Sequence, residues 1–301
     1  MTPSSRQRPG ATSSRATRIL GALTLAGLAV LAFLGLYVSP PDGLQGETVR
    51  LIYVHPASAT MAYLGFGVCA VASIAFLWPR TRSYRWDRLA GASAEVGVAF
   101  CVVTIVSGSI WGRYSWGVWW TWDPRLTLTA LLLAVFVGYL ALRRTGGDPL
   151  GRAKRSAITA LCCFVVVPVD HEATSWWVGL HQNDTLFRIG KSPLIHGWQL
   201  ATMLLSFVVF TLLFAWMVLH RLAIESMESR LEDEGYVWAI AERRSESGPA
   251  PAGATASSAS SGPLVAGPLP PVATSQRMVQ EAPGSLLAPR PLPRERGEAG
   301  L

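Results

Sequence analysis

The stretch ILGALTLAGLAVLAFLGLYV, residues 19–38, contains no charged side chain. A helix of this length, rising 1.5 Å per residue, is about 30 Å long, which matches the hydrocarbon core of a bilayer. Five further apolar runs follow, at residues 52–78, 89–111, 126–142, 157–169 and 195–219. Because a backbone in lipid must satisfy its own hydrogen bonds, each run predicts a helix. The sequence therefore predicts an all-α polytopic membrane protein with six transmembrane helices.

The distribution of charge indicates a membrane protein and excludes nucleic acid as the reason for the net charge of +7. Only 15% of the residues are charged, and the basic ones gather in alternate loops. These are Arg6, Arg8, Arg15, Arg18, Arg80, Arg82, Arg85, Arg88, Arg143, Arg144, Arg152, Lys154, Arg155 and Arg221. Cytoplasmic loops carry such an excess. We therefore expect both termini in the cytoplasm, and residues 39–51, 109–127 and 170–194 on the outer face.

The remaining segments complete the predicted domain organisation. Residues 1–18 form a cytoplasmic N-terminal segment, and residues 19–220 form the six-helix domain. The first run is longer than a typical signal-peptide core and lacks a small-residue cleavage site, so we expect it to be retained. Residues 221–244 have helical spacing and mixed charge, which predicts a cytoplasmic helix. Residues 245–301 are rich in Pro, Gly, Ala and Ser, which predicts a disordered cytoplasmic tail.

The cysteines favour neither a disulfide framework nor a zinc site. Cys69, Cys101, Cys162 and Cys163 all lie in apolar runs, which predicts small buried apolar side chains. The sequence has no C-x-x-C-H motif, so the chain is not itself a c-type cytochrome. It also has no G-x-x-x-x-G-K-[ST] motif, so any ATP-driven step requires a partner.

Residues 109–127, SIWGRYSWGVWWTWDPRLT, form a Trp-rich segment between the third and fourth runs. An interfacial aromatic belt explains one or two tryptophans at a membrane surface. The density here exceeds what anchoring requires, and a large planar apolar ligand is the other interpretation. If the middle of the segment is helical, one face forms an aromatic shelf continued by Asp123. That shelf consists of Trp116, Trp119 and Trp120.

Asp123 and Arg125 end the Trp-rich segment, and each has two interpretations. Asp123 can cap the helix of the fourth run, with Pro124 in its first turn, or it can take part in the ligand site. Arg125 lies at the water boundary, where it can bind an anionic group of a ligand or extend towards a lipid phosphate.

Haem is a planar apolar ligand with carboxylates, and its iron requires axial ligands. His55 opens the second run at its predicted outer end, and His181 lies in the last predicted outer loop. They flank the Trp-rich segment, as two ligands on opposite faces of one ring require; an interfacial polar role is the alternative for each. Asp170 and His171 follow the short fifth run, so we expect them in the outer leaflet as functional candidates, or in a thinned or tilted span.

Three motifs together resemble the WWD-type haem-handling CcmC family: WGVWWTWDPRLT (residues 116–127), IYVHPASA (52–59) and SWWVGLHQ (175–182). The resemblance covers residues 17–240. It implies a protein that holds haem b at the periplasmic face of the bacterial inner membrane and delivers it to the haem chaperone CcmE during cytochrome c maturation. It also implies three further partners, the ABC-type subunits CcmA and CcmB and the small subunit CcmD.

The resemblance also implies the site residues. In the family, two outward histidines are the axial ligands of the haem iron, and they correspond to His55 and His181. The Trp-rich domain is taken to contact haem and CcmE. The candidate haem-binding residues are therefore His55, His181, Trp116, Trp119, Trp120, Trp122, Asp123 and Arg125.

Three classes of function compete. A haem-delivery protein without chemistry of its own is favoured. A cytochrome c synthase of the related system carries the same Trp signature, but the modest size and the lack of a large outer domain count against it. A generic permease with a Trp belt is the third class, and the scarcity of charges in the apolar runs, Glu95 being the main exception, counts against that.

Overall fold

The computed structural model describes residues 14–181 and 195–246, and this part contains seven α-helices and no β-strand. A π-helical turn, Leu34–Val38, extends the first helix, and a 3-10 helix, Glu47–Tyr53, leads into the second. The predicted tail lies outside the described residues from 247 onwards, as does most of the predicted N-terminal segment. The helices are α1 (Arg15–Phe33), α2 (His55–Leu77), α3 (Tyr84–Ser115), α4 (Pro124–Arg143), α5 (Pro149–Phe164), α6 (Val166–Trp176) and α7 (Gly197–Glu246).

Six helical spans in the described part are long and apolar enough to cross a membrane, which confirms the predicted fold class. The fifth span is longer than its apolar run, because it extends over 28 residues from the start of α5 to the end of α6. Pro168 explains the break between them, since a proline ring clashes with the carbonyl four residues earlier, here that of Phe164, where α5 ends. Asp170 consequently lies within the fifth span.

α2 and α3 form the central pair of the bundle and approach each other closely because small residues face each other. A Cβ placed on Gly65 would lie 2.8 Å from the Cα of Gly97 and 2.8 Å from the carbonyl oxygen of Ser93. Such small residues allow membrane helices to pack backbone to backbone. Around this pair, α7 packs against α1, α2 and α3, and α4 packs against α3, α5 and α6.

A Gly97→Leu variant should destabilise the bundle. A Cβ at this position would already lie 2.9 Å from the Phe66 ring, so a larger side chain must push α2 and α3 apart. Overpacking costs about 1–3 kcal/mol, so we expect the thermal midpoint of the detergent-purified protein to fall by about 2–12 °C. Gly138→Leu is the matched control, because a Cβ on Gly138 has no atom within 4 Å. Equal midpoints for the two variants would contradict this packing.

The connection between α1 and α2 is fastened to the rest of the bundle. The backbone N–H groups of Gln45 and Leu44 donate to the Asp42 carboxylate at 2.9 and 2.8 Å, which lowers the pKa of that carboxyl. The Gln45 side chain in turn accepts a 2.7 Å hydrogen bond from the Trp111 indole near the end of α3. This connection and the Trp-rich segment therefore lie at the same end of the bundle.

The opposite end is held by ion pairs between helices. Arg143 of α4 donates to Asp87 of α3 at 2.8 Å, and Arg221 of α7 pairs with Glu95 of α3. Glu95, the charge noted inside an apolar run, is thus neutralised by a partner on another helix. α7 then continues to Glu246, so residues 221–244, predicted as a cytoplasmic helix, belong to the same unbroken helix as the sixth span.

One expectation about the cysteines is wrong. Cys69, Cys101 and Cys163 are buried, whereas Cys162 is exposed on α5. Successive residues on a helix point about 100° apart, so Cys162 and Cys163 cannot both face the same neighbour.

Candidate functional site

A cavity of about 530 Å³ lies at the end of the bundle that carries the Trp-rich segment. Ligand pockets commonly measure ~300–1,000 Å³. The cavity is lined by residues of α2, α3, α4 and α6, by the loop that leads to His181, and by α7. Five of the eight candidate residues line it: His55, His181, Trp116, Trp120 and Arg125. The structure brings these five together although they span more than 120 positions of sequence.

His55 is oriented by α3. Its Nδ1 lies 3.1 Å from the Thr104 carbonyl oxygen and 3.2 Å from the Ser107 hydroxyl. A carbonyl can only accept, so Nδ1 carries the proton and Nε2 keeps its lone pair. Metal-ligating histidines are commonly oriented by such a second hydrogen bond. Gly108 leaves room for the ring, because a Cβ there would lie 2.8 Å from Cε1 of His55.

His181 lies on the same cavity, and its ring centroid is 6.5 Å from that of Trp116. The residue before it, Leu180, donates its backbone N–H to the Asp123 carboxylate at 2.6 Å. The loop that carries His181 is therefore tied to the start of α4.

Asp123 lies outside the cavity lining and holds two parts of the site in place. Its carboxylate accepts from the N–H groups of Arg125 at 2.9 Å and Leu126 at 3.4 Å, which confirms the predicted helix cap with Pro124 in the first turn. The bond to Leu180 was not predicted. A Cβ on Gly179 would collide with the Asp123 carboxylate, so the glycine in VGLH permits this close approach.

The aromatic shelf that we expected from a helical Trp-rich segment is not formed. α3 ends at Ser115, and Gly117 adopts a φ of +80°, a left-handed conformation that commonly terminates helices. Residues 116–123 are therefore non-helical. Trp116 and Trp120 line the cavity, whereas Trp119 and Trp122 are 60% and 79% exposed and lie outside its lining.

Arg125 faces the cavity, and its polar contacts are within the protein. Its Nη1 donates to the His171 carbonyl oxygen at 2.9 Å, and its Nε lies 3.8 Å from Oδ1 of Asp170. The Tyr63 hydroxyl donates to Oδ2 of Asp170 at 2.8 Å, and the Thr129 hydroxyl lies 3.1 Å from Oδ1. The sequence marked Asp170 as a candidate but provided no signal for Tyr63 or Thr129, which lie on other helices.

The donor set fits a haem iron. The described residues contain no group of three or more His, Cys, Asp or Glu side chains that could hold a bare metal ion. A haem iron receives its equatorial ligands from the porphyrin and needs only axial ligands from the protein, which two histidines on one cavity can provide.

Comparison with known proteins identifies the family. The family model described as heme exporter protein C, CcmC, matches residues 4–236. The chain belongs to the CcmC family. Heme exporter protein C of Bradyrhizobium diazoefficiens is 33% identical over 218 residues, which cover 71% of this chain and 81% of the relative. The Haemophilus influenzae protein of the same name is 33% identical over 216 residues, covering 72% and 85%.

A third CcmC relative supports the same assignment. Heme exporter protein C of Escherichia coli K12 is 31% identical over 198 residues, which cover 64% of this chain and 80% of the relative. The CcmC match ends at residue 236, within α7, and therefore includes all six spans and every residue of the cavity. The resemblance drawn from the three sequence motifs is confirmed.

Proposed function

We propose that this protein binds haem b in the cavity and delivers it to the haem chaperone CcmE during cytochrome c maturation. His55 and His181 ligate the iron, Trp116 and Trp120 contact the porphyrin, and Arg125 binds a carboxylate. The observation that carries the proposal is the contact between Nδ1 of His55 and the Thr104 carbonyl oxygen. Its Nδ1 proton is engaged by the Thr104 carbonyl, which leaves Nε2 to a metal on the cavity shared with His181.

The remaining parts of the proposal rest on the resemblance to the CcmC family and on the charge pattern. The protein acts as a carrier rather than as an enzyme, in the bacterial inner membrane with its haem site towards the periplasm. CcmA and CcmB supply ATP-driven work, CcmD is the small subunit, and CcmE receives the haem. Exposed Trp119 and Trp122 belong to the surface that meets CcmE.

The direct test is an absorption spectrum of the full-length protein purified in detergent, before and after addition of haem. Two neutral imidazoles should produce low-spin bands in both oxidation states. A sample that keeps the spectrum of free haem in detergent after addition of stoichiometric haem would refute the haem site.

The orientation in the membrane is tested by cysteine reporters. The positive-inside bias predicts that position 82 is cytoplasmic and position 119 periplasmic. The native cysteines are first replaced by serine or alanine. A single cysteine is then introduced at position 82 or at position 119, and intact cells that express the variant are labelled. A membrane-impermeant maleimide should label position 119 and not position 82. Labelling of position 82 from outside would contradict the proposed topology.

An Asp123→Ala variant should weaken ligation of the iron by His181 and keep ligation by His55. The substitution removes the helix cap, which costs about 0.5–2 kcal/mol, and releases the Leu180 N–H beside His181. We therefore expect a mixture of high-spin and low-spin haem in the spectrum. Asp148→Ala is the matched control, because Asp148 caps α5 at the other end of the bundle. A purely low-spin spectrum for Asp123→Ala would show that Asp123 does not position the loop.

A further inference from the structure

Asp170 is an ionisable residue inside a membrane span, and it has no exposed surface. An isolated carboxylate there is costly, and intramembrane acids therefore have partners. The Tyr63 hydroxyl donates to it at 2.8 Å, and the Thr129 hydroxyl lies 3.1 and 3.2 Å from its two oxygens. These neutral groups come from α2 and α4, so Asp170 has partners besides its cationic neighbour.

Arg125 is that neighbour, and the contact between the two is loose. Its Nε lies 3.8 Å from Oδ1 of Asp170, which is within ion-pair range but too long for a hydrogen bond. Its Nη1 is held separately by the His171 carbonyl oxygen. Arg125 and Asp170 both line the cavity. The guanidinium can therefore bind an anionic ligand without leaving its backbone partner.

We propose that Asp170 is the resident counter-ion of Arg125 and promotes release of haem by competing with the haem carboxylate for the guanidinium. The inference rests on the proposed function. A cation left unpaired in a buried site is costly, and Asp170 removes that cost when the ligand departs. While the ligand is bound, its carboxylate also meets the negative charge of Asp170. Both effects favour transfer over retention, as a delivery protein requires.

The test compares two porphyrins in the full-length protein. Purified wild-type and Asp170→Asn proteins are loaded with haem or with haem dimethyl ester, whose carboxylates are esterified. Transfer to excess apomyoglobin is then followed by absorbance. Asp170→Asn should slow haem release about tenfold and leave release of the ester unchanged, because only the free carboxylate interacts with charge. Glu172→Gln is the matched control, since this neighbouring acid on α6 does not line the cavity.

Each outcome decides the inference. Unchanged or faster haem release in Asp170→Asn would overturn it, as would an equal effect on haem and its ester. Asp170→Leu is a second neutral variant, which likewise removes the negative charge beside Arg125. If neither variant accumulates as folded protein, Asp170 serves the fold rather than release, and the inference is wrong. If the wild-type chain loads neither porphyrin, the proposed function itself fails.

Discussion

A His55→Ala, His181→Ala double variant should purify without haem, and it should not acquire a low-spin spectrum when haem is added. Both axial ligands are then missing, and the tryptophans and Arg125 alone hold the porphyrin weakly. Each single variant should still bind haem through its remaining histidine, with the spectrum shifted towards high spin. Haem content by pyridine haemochrome and the Soret position measure both effects.

The control for the histidine variants is His220→Ala. Nδ1 of His220 donates to the Trp216 carbonyl oxygen at 2.8 Å, within α7 and away from the cavity lining, so removal of the ring should leave the spectrum unchanged. A double variant with wild-type haem content and a wild-type spectrum would exclude His55 and His181 as the ligands.

Substitution of two pairs of tryptophans in the Trp-rich segment should separate haem binding from haem transfer. One pair lines the cavity, and the other is exposed. A Trp116→Ala, Trp120→Ala variant should bind haem more weakly, because both side chains line the cavity. An aromatic contact contributes about 0.5–1.5 kcal/mol beyond its area, so the loss of two should weaken binding about 5- to 150-fold. Titration of the purified protein with haem measures this change.

A Trp119→Ala, Trp122→Ala variant is the matched comparison, since it also removes two indoles, but from the exposed part of the segment. It should bind haem with wild-type affinity but leave CcmE without haem in cells, because the proposed contact surface is gone. Haem staining of CcmE and the yield of mature cytochrome c measure transfer. Wild-type transfer by this variant would show that Trp119 and Trp122 serve only as an interfacial aromatic belt.

The helical spans and the identity of the candidate ligands could be predicted from the sequence. Six spans followed from uninterrupted apolar runs, because hydrocarbon permits only a backbone that satisfies its own hydrogen bonds. The cap at Asp123 followed from the D-P pair, a local signal that requires no distant partner. His55 and His181 followed from their motifs, and the structure places both on one cavity.

Features that depend on distant contacts were decided only by the tertiary structure. The bond from Leu180 to Asp123 and the group of Tyr63, Thr129 and Asp170 join helices that lie far apart in sequence. Only the tertiary structure also showed which tryptophans line the cavity and which are exposed. α3 ends before Gly117, and an irregular turn follows in place of the expected helical face. Apolar patterning specifies which segments enter the membrane, whereas side-chain contacts between helices determine what their facing surfaces can bind.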